Sequence, residues 1–278
     1  MAELDIAIVS GCTQLRYASY VGHQLYARRH GTGYHLELAP FEGVDGYWHK
    51  VAAVAAHLDE HDWVVWLDDD AFITDLNSTF IRDTIAAAEE NEAWLVIAPS
   101  VEDELNGAWA AYNSGVFALR NTADARTLLE SLRDAPMAAI ETWWDESRLG
   151  VFTHGDQDAL VWFMEERGQP GAIHWADPMR WNARPWHYLG RIDALPVCHF
   201  PGHPDKTLAI ADFARRMGTD ETLVRPAGSG RRDRGLHAKV PSTSRAGARL
   251  RQVSLSMRKL RRRVSRKVRW VRETRSWS

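Results

Sequence analysis

The stretch WVVWLDDDAFI, residues Trp63–Ile73, holds the clearest structural signal of the chain. Its first half, Trp63–Leu67, is an uninterrupted apolar run of strand length, which is typical of a central strand buried on both faces. Three aspartates follow at once, so Asp68–Asp70 should lie at the carboxyl end of that strand. Ligands of open α/β sheets bind at this edge. The stretch therefore predicts an α/β sheet with an acidic site at the end of a central strand.

Strand and helix patterns alternate on both sides of this stretch. Further apolar runs of strand length lie at Leu4–Ser10, Tyr34–Leu38, Leu95–Ala98 and Val116–Leu119. Apolar residues with helical spacing lie at Tyr20–His30, Tyr47–Leu58, Ala123–Arg133 and Gln157–Arg167. This alternation predicts a Rossmann-like, mainly parallel sheet flanked by helices.

Length and composition favour one large domain with an additional segment. The chain has 278 residues and is 45% hydrophobic, which is enough for a substantial core. Its two cysteines, Cys12 and Cys198, cannot form a disulfide framework and are expected to be free thiols. The sequence contains no run of about 18 apolar residues, so it predicts no membrane-spanning helix. The start of the sequence lacks the basic, then apolar pattern of a secretory signal, so we expect a cytoplasmic protein.

The net charge of −3 hides an uneven distribution. Arg231–Ser278 holds 17 Lys and Arg but two acidic residues, a charge of +15, which leaves −18 on the 230 residues before it. Apolar residues recur every three or four positions within this tail, at Leu250, Val253, Met257, Leu260, Val264, Val268 and Val271. We therefore predict a domain over 1–225, a linker over 226–247 and a basic amphipathic helix over 248–275.

An anionic membrane surface is the expected partner of residues 248–275. A basic helix with an apolar stripe typically lies on such a surface, where each Lys or Arg contributes about 1 kcal/mol. This predicts a peripheral protein at the inner face of the membrane. Two alternatives stay open: a solvated or disordered tail, and binding to nucleic acid, whose phosphates attract basic charge but do not need the apolar stripe.

The acidic triplet is a candidate metal site. Asp68 and Asp70 are two residues apart, so their side chains share one side if strand geometry persists, with Asp69 opposite. Two neighbouring carboxylates repel each other unless a cation lies between them. Mg²⁺ or Mn²⁺ fits, because such hard cations take one or two carboxylates together with phosphate oxygens. The alternative is a solvated turn whose aspartates cap a helix.

The chain resembles the retaining glycosyltransferases that include fungal galactomannan galactosyltransferases, yeast mannan mannosyltransferases and plant xyloglucan xylosyltransferases. The resemblance covers roughly Leu4 to Lys206. Five patches, the last of them a pair of stretches, occur in the expected order: YARRHGTGY at Tyr26–Tyr34, YWHK at Tyr47–Lys50, DDDA at Asp68–Ala71, NSGVFALRNT at Asn113–Thr122, then DQDAL at Asp156–Leu160 and HFPG at His199–Gly202.

The resemblance implies the GT-A fold, a nucleotide-diphosphate sugar as donor and a divalent metal as cofactor. It implies that Asp68 and Asp70 bind the metal and that His199 is the third protein ligand. An imidazole beside two carboxylates favours Mn²⁺ over Mg²⁺. His203 is the nearby alternative to His199.

The resemblance also assigns residues to the donor and to catalysis. It places Asp156 and Gln157 against the donor sugar near its reactive carbon, as the catalytic pair. The family often has an acid immediately before this pair, where the present chain has Gly155. Further donor-binding residues are expected at Lys50, Asp69, Asn113, Ser114, Gly115, Gly202 and Lys206.

The implied reaction transfers a sugar with retention of configuration. A metal, with Lys206, would stabilise the negative charge of the departing diphosphate. The anomeric carbon becomes oxocarbenium-like, and Gln157 or Asp156 would face it. The acceptor is expected to be a carbohydrate or a glycolipid, bound by aromatic loops in which at least half of the tryptophans are expected only to pack. These tryptophans are Trp143, Trp144, Trp175, Trp181 and Trp186.

Two other classes of function stay open from the sequence. A metal-dependent nucleotidyltransferase or phosphohydrolase also uses aspartates at a strand end, but it needs more acidic ligands and not the patches around His199 and Asp156. A non-catalytic sugar-binding or membrane-scaffold protein would keep the fold and lose turnover. The intact set of Asp68, Asp70 and His199 argues against that loss.

Overall fold

The computed structural model describes residues 4–38, 41–44, 46–102, 107–167, 170–203 and 205–225. The predicted linker over 226–247 and the predicted basic helix over 248–275 lie outside the described residues. No helix among those described combines the length and the apolar character needed to span a membrane.

The order of elements follows the predicted alternation of strands and helices. The strands are β1 (Ile6–Gly11), β2 (Gly33–Glu37), β3 (Trp63–Leu67), β4 (Ala71–Ile73), β5 (Leu95–Ser100), β6 (Ala110–Arg120), β7 (Ile173–Trp175) and β8 (Val197–His199). The helices are α1 (Ser19–His30), α2 (Trp48–Leu58), α3 (Phe80–Glu90), α4 (Ala123–Arg133), α5 (Met137–Trp143), α6 (Glu146–Leu149), α7 (Asp156–Arg167), α8 (Pro178–Trp181) and α9 (Lys206–Met217).

The central sheet has six strands in the order β2-β1-β3-β6-β5-β7. The pairs β1 with β2, β1 with β3 and β5 with β7 are parallel, whereas β6 runs antiparallel to both of its neighbours. The predicted mainly parallel α/β sheet is therefore confirmed. β3 lies between β1 and β6, so its carboxyl end opens at the middle of the sheet.

Helices cover both faces of this sheet. On one face, Val64 and Trp66 of β3 pack with apolar residues of α2, α4, α5 and α7. On the other face, Trp63 and Val65 pack with residues of α1, α3 and α8. All five residues of β3 are buried, as an uninterrupted apolar run predicts for a strand covered on both sides.

A second, two-stranded sheet pairs β4 with β8 in antiparallel fashion. It packs against α9 through a separate cluster that includes Phe72, Phe200 and Phe213. Cys198 is buried in that cluster, and both cysteines are free thiols, as expected. The small sheet joins two segments far apart in sequence, and it builds one side of the site described next.

Candidate active site

The acidic triplet lies in a turn. The strand ends at Leu67, and the N–H of Ala71 donates to the carbonyl of Asp68 at 3.0 Å. The alternating side-chain geometry assumed for a continuing strand is therefore wrong. The turn still directs Asp68 and Asp70 to one place, because β4 starts directly after it at Ala71.

Pairing of β4 with β8 brings His199 to the triplet. Ala71 lies opposite His199 in the ladder, and the N–H of Phe200 donates to the carbonyl of Asp70 at 3.0 Å. The Nε2 atom of His199 lies 3.1 Å from Oδ1 of Asp70. Both side chains are almost fully buried.

Asp68, Asp70 and His199 could share one cation. Each offers a ligand atom, and these atoms all lie within 4.8 Å of one another. The rival residue, His203, instead lies beside the rings of Phe200 and Trp186. Two carboxylates and one imidazole form a donor set that suits Mn²⁺.

His199 can take the tautomer of a metal ligand. Its Nδ1 lies 2.5 Å from Oδ1 of Asn182, and when Nδ1 donates its proton to this oxygen, Nε2 keeps the lone pair that a metal needs. Burial lowers the pKa of His199, against the raising effect of Asp70, so burial favours the neutral imidazole that binds metals. An imidazole lone pair and a carboxylate oxygen then face each other, an arrangement that a cation would satisfy.

Two residues behind His199 carried no recognisable sequence signal. Asn182 follows α8, and Arg184 lies two residues further. Its Nη1 is 3.1 Å from Nδ1 of His199 and can donate to it only in the other tautomer, so Asn182 and Arg184 compete for this nitrogen. The Nη2 of Arg184 donates to Ser100 Oγ at 2.7 Å, which ties this side chain to β5. Their contacts depend on the fold, so spacing along the chain could not reveal them.

Gly115 gives the His199 ring its space. A Cβ added to Gly115 would lie 2.7 Å from Nε2 of His199 and closer still to its Cε1. The register between β5 and β6 shifts here: Ile97 is paired with Phe117, but Ala98 with Asn113. This bulge re-aims the backbone, as bulges beside functional sites commonly do.

Lys50 is a buried cation that links four elements. Its Nζ lies 3.0 Å from Oδ1 of Asp68, 3.4 Å from Oδ2 of Asp156 and 3.2 Å from the carbonyl oxygen of Ser114. Burial disfavours its charge, yet Asp156 and Asp68 together raise the pKa of Lys50 above its ordinary value. The ammonium therefore stays charged and holds the end of β3 to the start of α7.

Asp156 and Gln157 form the first turn of α7 beside the β6 bulge. Gln157 Oε1 accepts from the N–H of Ser114 at 3.2 Å. Asp156 is buried, and burial raises its pKa, although the Lys50 charge opposes this. Asp158, which carried no separate signal in the sequence, accepts from the N–H and hydroxyl of Thr153 at 2.8 and 3.0 Å and so fixes the loop before the helix.

The lack of a side chain at Gly155 has a steric reason in this chain. A Cβ there would lie 2.8 Å from Cδ2 of Tyr47, so the tyrosine ring occupies the space that a side chain would need. Tyr47 itself is 60% exposed at the mouth of the cleft. The ring thus replaces the acidic side chain that the resemblance led us to expect.

Lys206 reaches the same site from the opposite side. It is the first residue of α9, and its Nζ lies 2.5 Å from Oδ2 of Asp70. Gly202, with φ of 67°, makes the turn between His199 and this helix. Burial opposes the low pKa of Asp70, but its contacts with His199 and Lys206 hold that pKa well below its usual range.

A cleft of about 240 Å³ opens over these side chains. It is lined by the acidic triplet, Lys50 and Lys206 and by residues that follow β1, including Cys12 and Arg16. Burial and the neighbouring charges of Asp70 and Asp68 raise the pKa of Asp69 to about 7. A larger cavity of about 580 Å³ lies between α2 and α4, and none of the predicted site residues lines it.

The tryptophans expected at the acceptor site have different environments. Trp181 is fully buried and donates from Nε1 to the carbonyl of Val116 at 2.9 Å, so it is one of the tryptophans that only pack. Trp175 is 50% exposed and packs edge-on against Tyr112. Trp143 and Trp144 are half-buried, in contact with each other.

Comparison with known proteins gives a family and a fold. A sequence model of the galactosyl transferase GMA12/MNN10 family matches residues 18–170. A glycosyltransferase involved in glycosylation of the major capsid of PBCV-1 is 18% identical, with a TM-score of 0.56, over 77% of this chain and 98% of that chain. The glycosyltransferase GlyE of Streptococcus pneumoniae TIGR4 is 15% identical, with a TM-score of 0.45, over 73% of this chain and 56% of that chain. No curated protein matches.

Proposed function

The chain belongs to the galactosyl transferase GMA12/MNN10 family and has the GT-A glycosyltransferase fold, and from this we propose that it is metal-dependent and uses a nucleotide-diphosphate sugar. Its acceptor is a carbohydrate or a glycolipid. The observation that carries the proposal is the convergence of ligand atoms from Asp68, Asp70 and His199 within 4.8 Å. These residues come from distant segments and meet at the carboxyl end of β3, where ligands of α/β sheets bind.

The metal ion and Lys206 would both neutralise negative charge on the departing diphosphate. Asp68, Asp70 and His199 would hold Mn²⁺ or Mg²⁺, which when bound supplies Lewis-acid neutralisation of the departing diphosphate. Lys206 adds a second positive charge, and its side chain is 31% exposed toward the cleft. Lys50 lies deeper and serves to position Asp68 and Asp156, because its ammonium contacts both carboxylates.

Asp156 and Gln157 act on the sugar. Asp156 is held by Lys50, so it provides a fixed negative charge near the anomeric carbon. Gln157 is less buried, and its Oε1 is oriented by the N–H of Ser114. An amide oxygen of this kind stabilises an oxocarbenium-like centre without forming a stable bond, which suits retention by attack from the leaving-group side. Asn113, Ser114, Gly115, Asp69 and Gly202 complete the donor site.

Hydrolysis of a panel of nucleotide sugars tests the proposal. We expect slow release of free sugar and nucleoside diphosphate from one donor, abolished by chelation and restored by Mn²⁺. Asp70→Ala should reduce this rate at least about 100-fold. Asp59→Ala removes a carboxylate that is 72% exposed and lies away from the cleft, and it should leave the rate unchanged.

The products also separate the competing enzyme class. A glycosyltransferase breaks the bond between the sugar and the diphosphate, so it releases a nucleoside diphosphate. A phosphohydrolase breaks the phosphoanhydride bond with water and releases a nucleoside monophosphate and sugar 1-phosphate. A nucleotidyltransferase breaks the same bond, passes the nucleotidyl group to another acceptor such as pyrophosphate, and also leaves sugar 1-phosphate. Sugar 1-phosphate as a product, or no metal-dependent binding or hydrolysis of any donor, would overturn the proposal.

A further inference from the structure

A second group of metal-ligating side chains lies away from the cleft, at the edge strand β2 and the end of α2. His35 is on β2, His57 is in the last turn of α2, and Glu60 follows in the next turn. Each offers one ligand atom, and these atoms lie within 4.8 Å of one another. Glu37 and His61 surround them.

The hydrogen bond of His57 leaves one ring nitrogen available. Its Nε2 lies 2.8 Å from Oε1 of Glu37, and a carboxylate only accepts, so Nε2 carries the proton. Nδ1 then keeps its lone pair. It is buried, has no hydrogen-bond partner among the described residues and lies 3.5 Å from Oε2 of Glu60. A carboxylate on the far nitrogen of a ligating imidazole is the usual support of a metal-binding histidine.

His35 is the second imidazole of the group. Its ring stacks on His57 with centroids 3.9 Å apart, and its Nε2 lies 3.1 Å from Nε2 of His61. At least one nitrogen of that pair has no proton, because two N–H groups cannot face each other at this distance. Burial, with the charges of His57 and His61, lowers the pKa of His35 and favours its neutral, metal-binding form.

We propose that His35, His57 and Glu60 bind a second metal ion, of the Zn²⁺ type. Two imidazoles and one carboxylate are ligands that Zn²⁺ takes, and the fourth position is left to water or His61. The nitrogen lone pairs of two stacked imidazoles lie in nearly parallel planes, so they do not point at one ion. The rings of His35 and His57 must therefore turn about their Cβ–Cγ bonds to bind it. Glu60 is 63% exposed, which gives the ion a way in. The bound ion would tie the edge strand β2 to the end of α2.

Zinc binding to the full chain tests this site independently of the proposed transferase activity. Zn²⁺ is titrated with calorimetry into the wild type and into Asp70→Ala, because Zn²⁺ also competes for the site of Asp68, Asp70 and His199 and the variant separates the two sites. Co²⁺ in place of Zn²⁺ reports nitrogen ligands through its visible absorption. We expect one Zn²⁺ equivalent that Asp70→Ala retains and whose affinity falls more than about 100-fold in the double variant His35→Ala/His57→Ala. The thermal midpoint should rise with Zn²⁺ in the wild type but much less in the double variant.

Two further variants keep the test decisive if the double variant folds poorly. Glu60→Gln changes an exposed side chain, so it should leave the metal-free thermal midpoint unchanged while weakening Zn²⁺ binding about tenfold or more. His174→Ala removes a half-buried histidine of β7 outside the group and should bind Zn²⁺ like the wild type. Equal Zn²⁺ stoichiometry and affinity in wild type and Glu60→Gln, with unchanged Co²⁺ absorption, would overturn the site. Donor hydrolysis by Glu60→Gln should match the wild type in either case.

Discussion

Gly115 and His199 approach so closely that no side chain fits between them. A Cβ on Gly115 would lie 2.7 Å from the Nε2 atom that His199 presents to Asp70. Gly115 is also fixed by its own backbone, because its carbonyl accepts the N–H of Asp68 at 2.8 Å. A small residue here is therefore a condition for placing the imidazole beside the two carboxylates.

Gly115→Ala should displace His199 and damage the metal site. We expect the Mn²⁺ concentration for half-maximal donor hydrolysis to rise at least about tenfold, with an overpacking cost of about 1–3 kcal/mol in the free energy of unfolding. Metal titration of activity and urea unfolding measure the two effects. Gly171→Ala is the matched control, since a Cβ there meets nothing within 4 Å. Wild-type metal dependence in Gly115→Ala would show that His199 is not a ligand.

Asn182→Ala should weaken metal binding without touching the donor. It removes the acceptor 2.5 Å from Nδ1 of His199, so the ring loses the bond that fixes its tautomer. Loss of such a supporting partner typically costs about 10–100-fold in metal affinity. We expect that shift in the Mn²⁺ titration, with hydrolysis recovering at saturating Mn²⁺. Asn182→Asp retains an acceptor oxygen and should recover much of the affinity; two identical titrations for these variants would contradict the role.

The ammonium of Lys50 should matter for stability as well as for chemistry. Lys50→Met leaves Asp68 and Asp156 facing each other without their shared cation. Breaking a buried pair by removing one partner costs about 3–5 kcal/mol, whereas removing both partners costs less. We therefore expect Lys50→Met/Asp156→Asn to unfold at higher urea than Lys50→Met. Arg126→Met, which breaks the exposed pair with Asp59, should cost at most about 1 kcal/mol.

Elements with a strong periodic pattern were predictable from the sequence. The bounds of β3 and α4 agree with the predicted Trp63–Leu67 and Ala123–Arg133. α3 was missed, although its buried residues Phe80, Ile81, Ile85 and Ala88 have helical spacing. Its many Ala and Glu residues blur the contrast between the two faces. β6 begins at Ala110, six residues before the predicted start, because its bulge interrupts the apolar pattern.

The sequence predicted the three side chains of the candidate metal site but not the residues that hold His199 in place. Asp68, Asp70 and His199 carried motif signals, and the structure brings them together. Asn182 and Arg184 did not, because their contact with His199 depends on β8 folding back along β4. The tryptophans show the limit of composition: at least half were expected only to pack, and burial identifies Trp181 as one of these. Composition reveals an aromatic side chain; only packing reveals which way it faces.

The basic segment over 248–275 should attach the enzyme to anionic membranes. If the predicted helix forms, its apolar stripe would enter the interface and its Lys and Arg would contact the lipid phosphates, so binding should need both features. We expect the full chain to sediment with vesicles of anionic lipid, to be released by salt and to ignore neutral vesicles. A chain ending at Arg225 should stay in the supernatant yet hydrolyse donor at the wild-type rate.

Replacing Val253, Leu260 and Val264 by Ser keeps the charge and removes part of the stripe, so it should reduce sedimentation. Equal sedimentation of the full and shortened chains would remove the membrane assignment, and retention of the Ser variant on RNA but not on vesicles would identify nucleic acid as the partner.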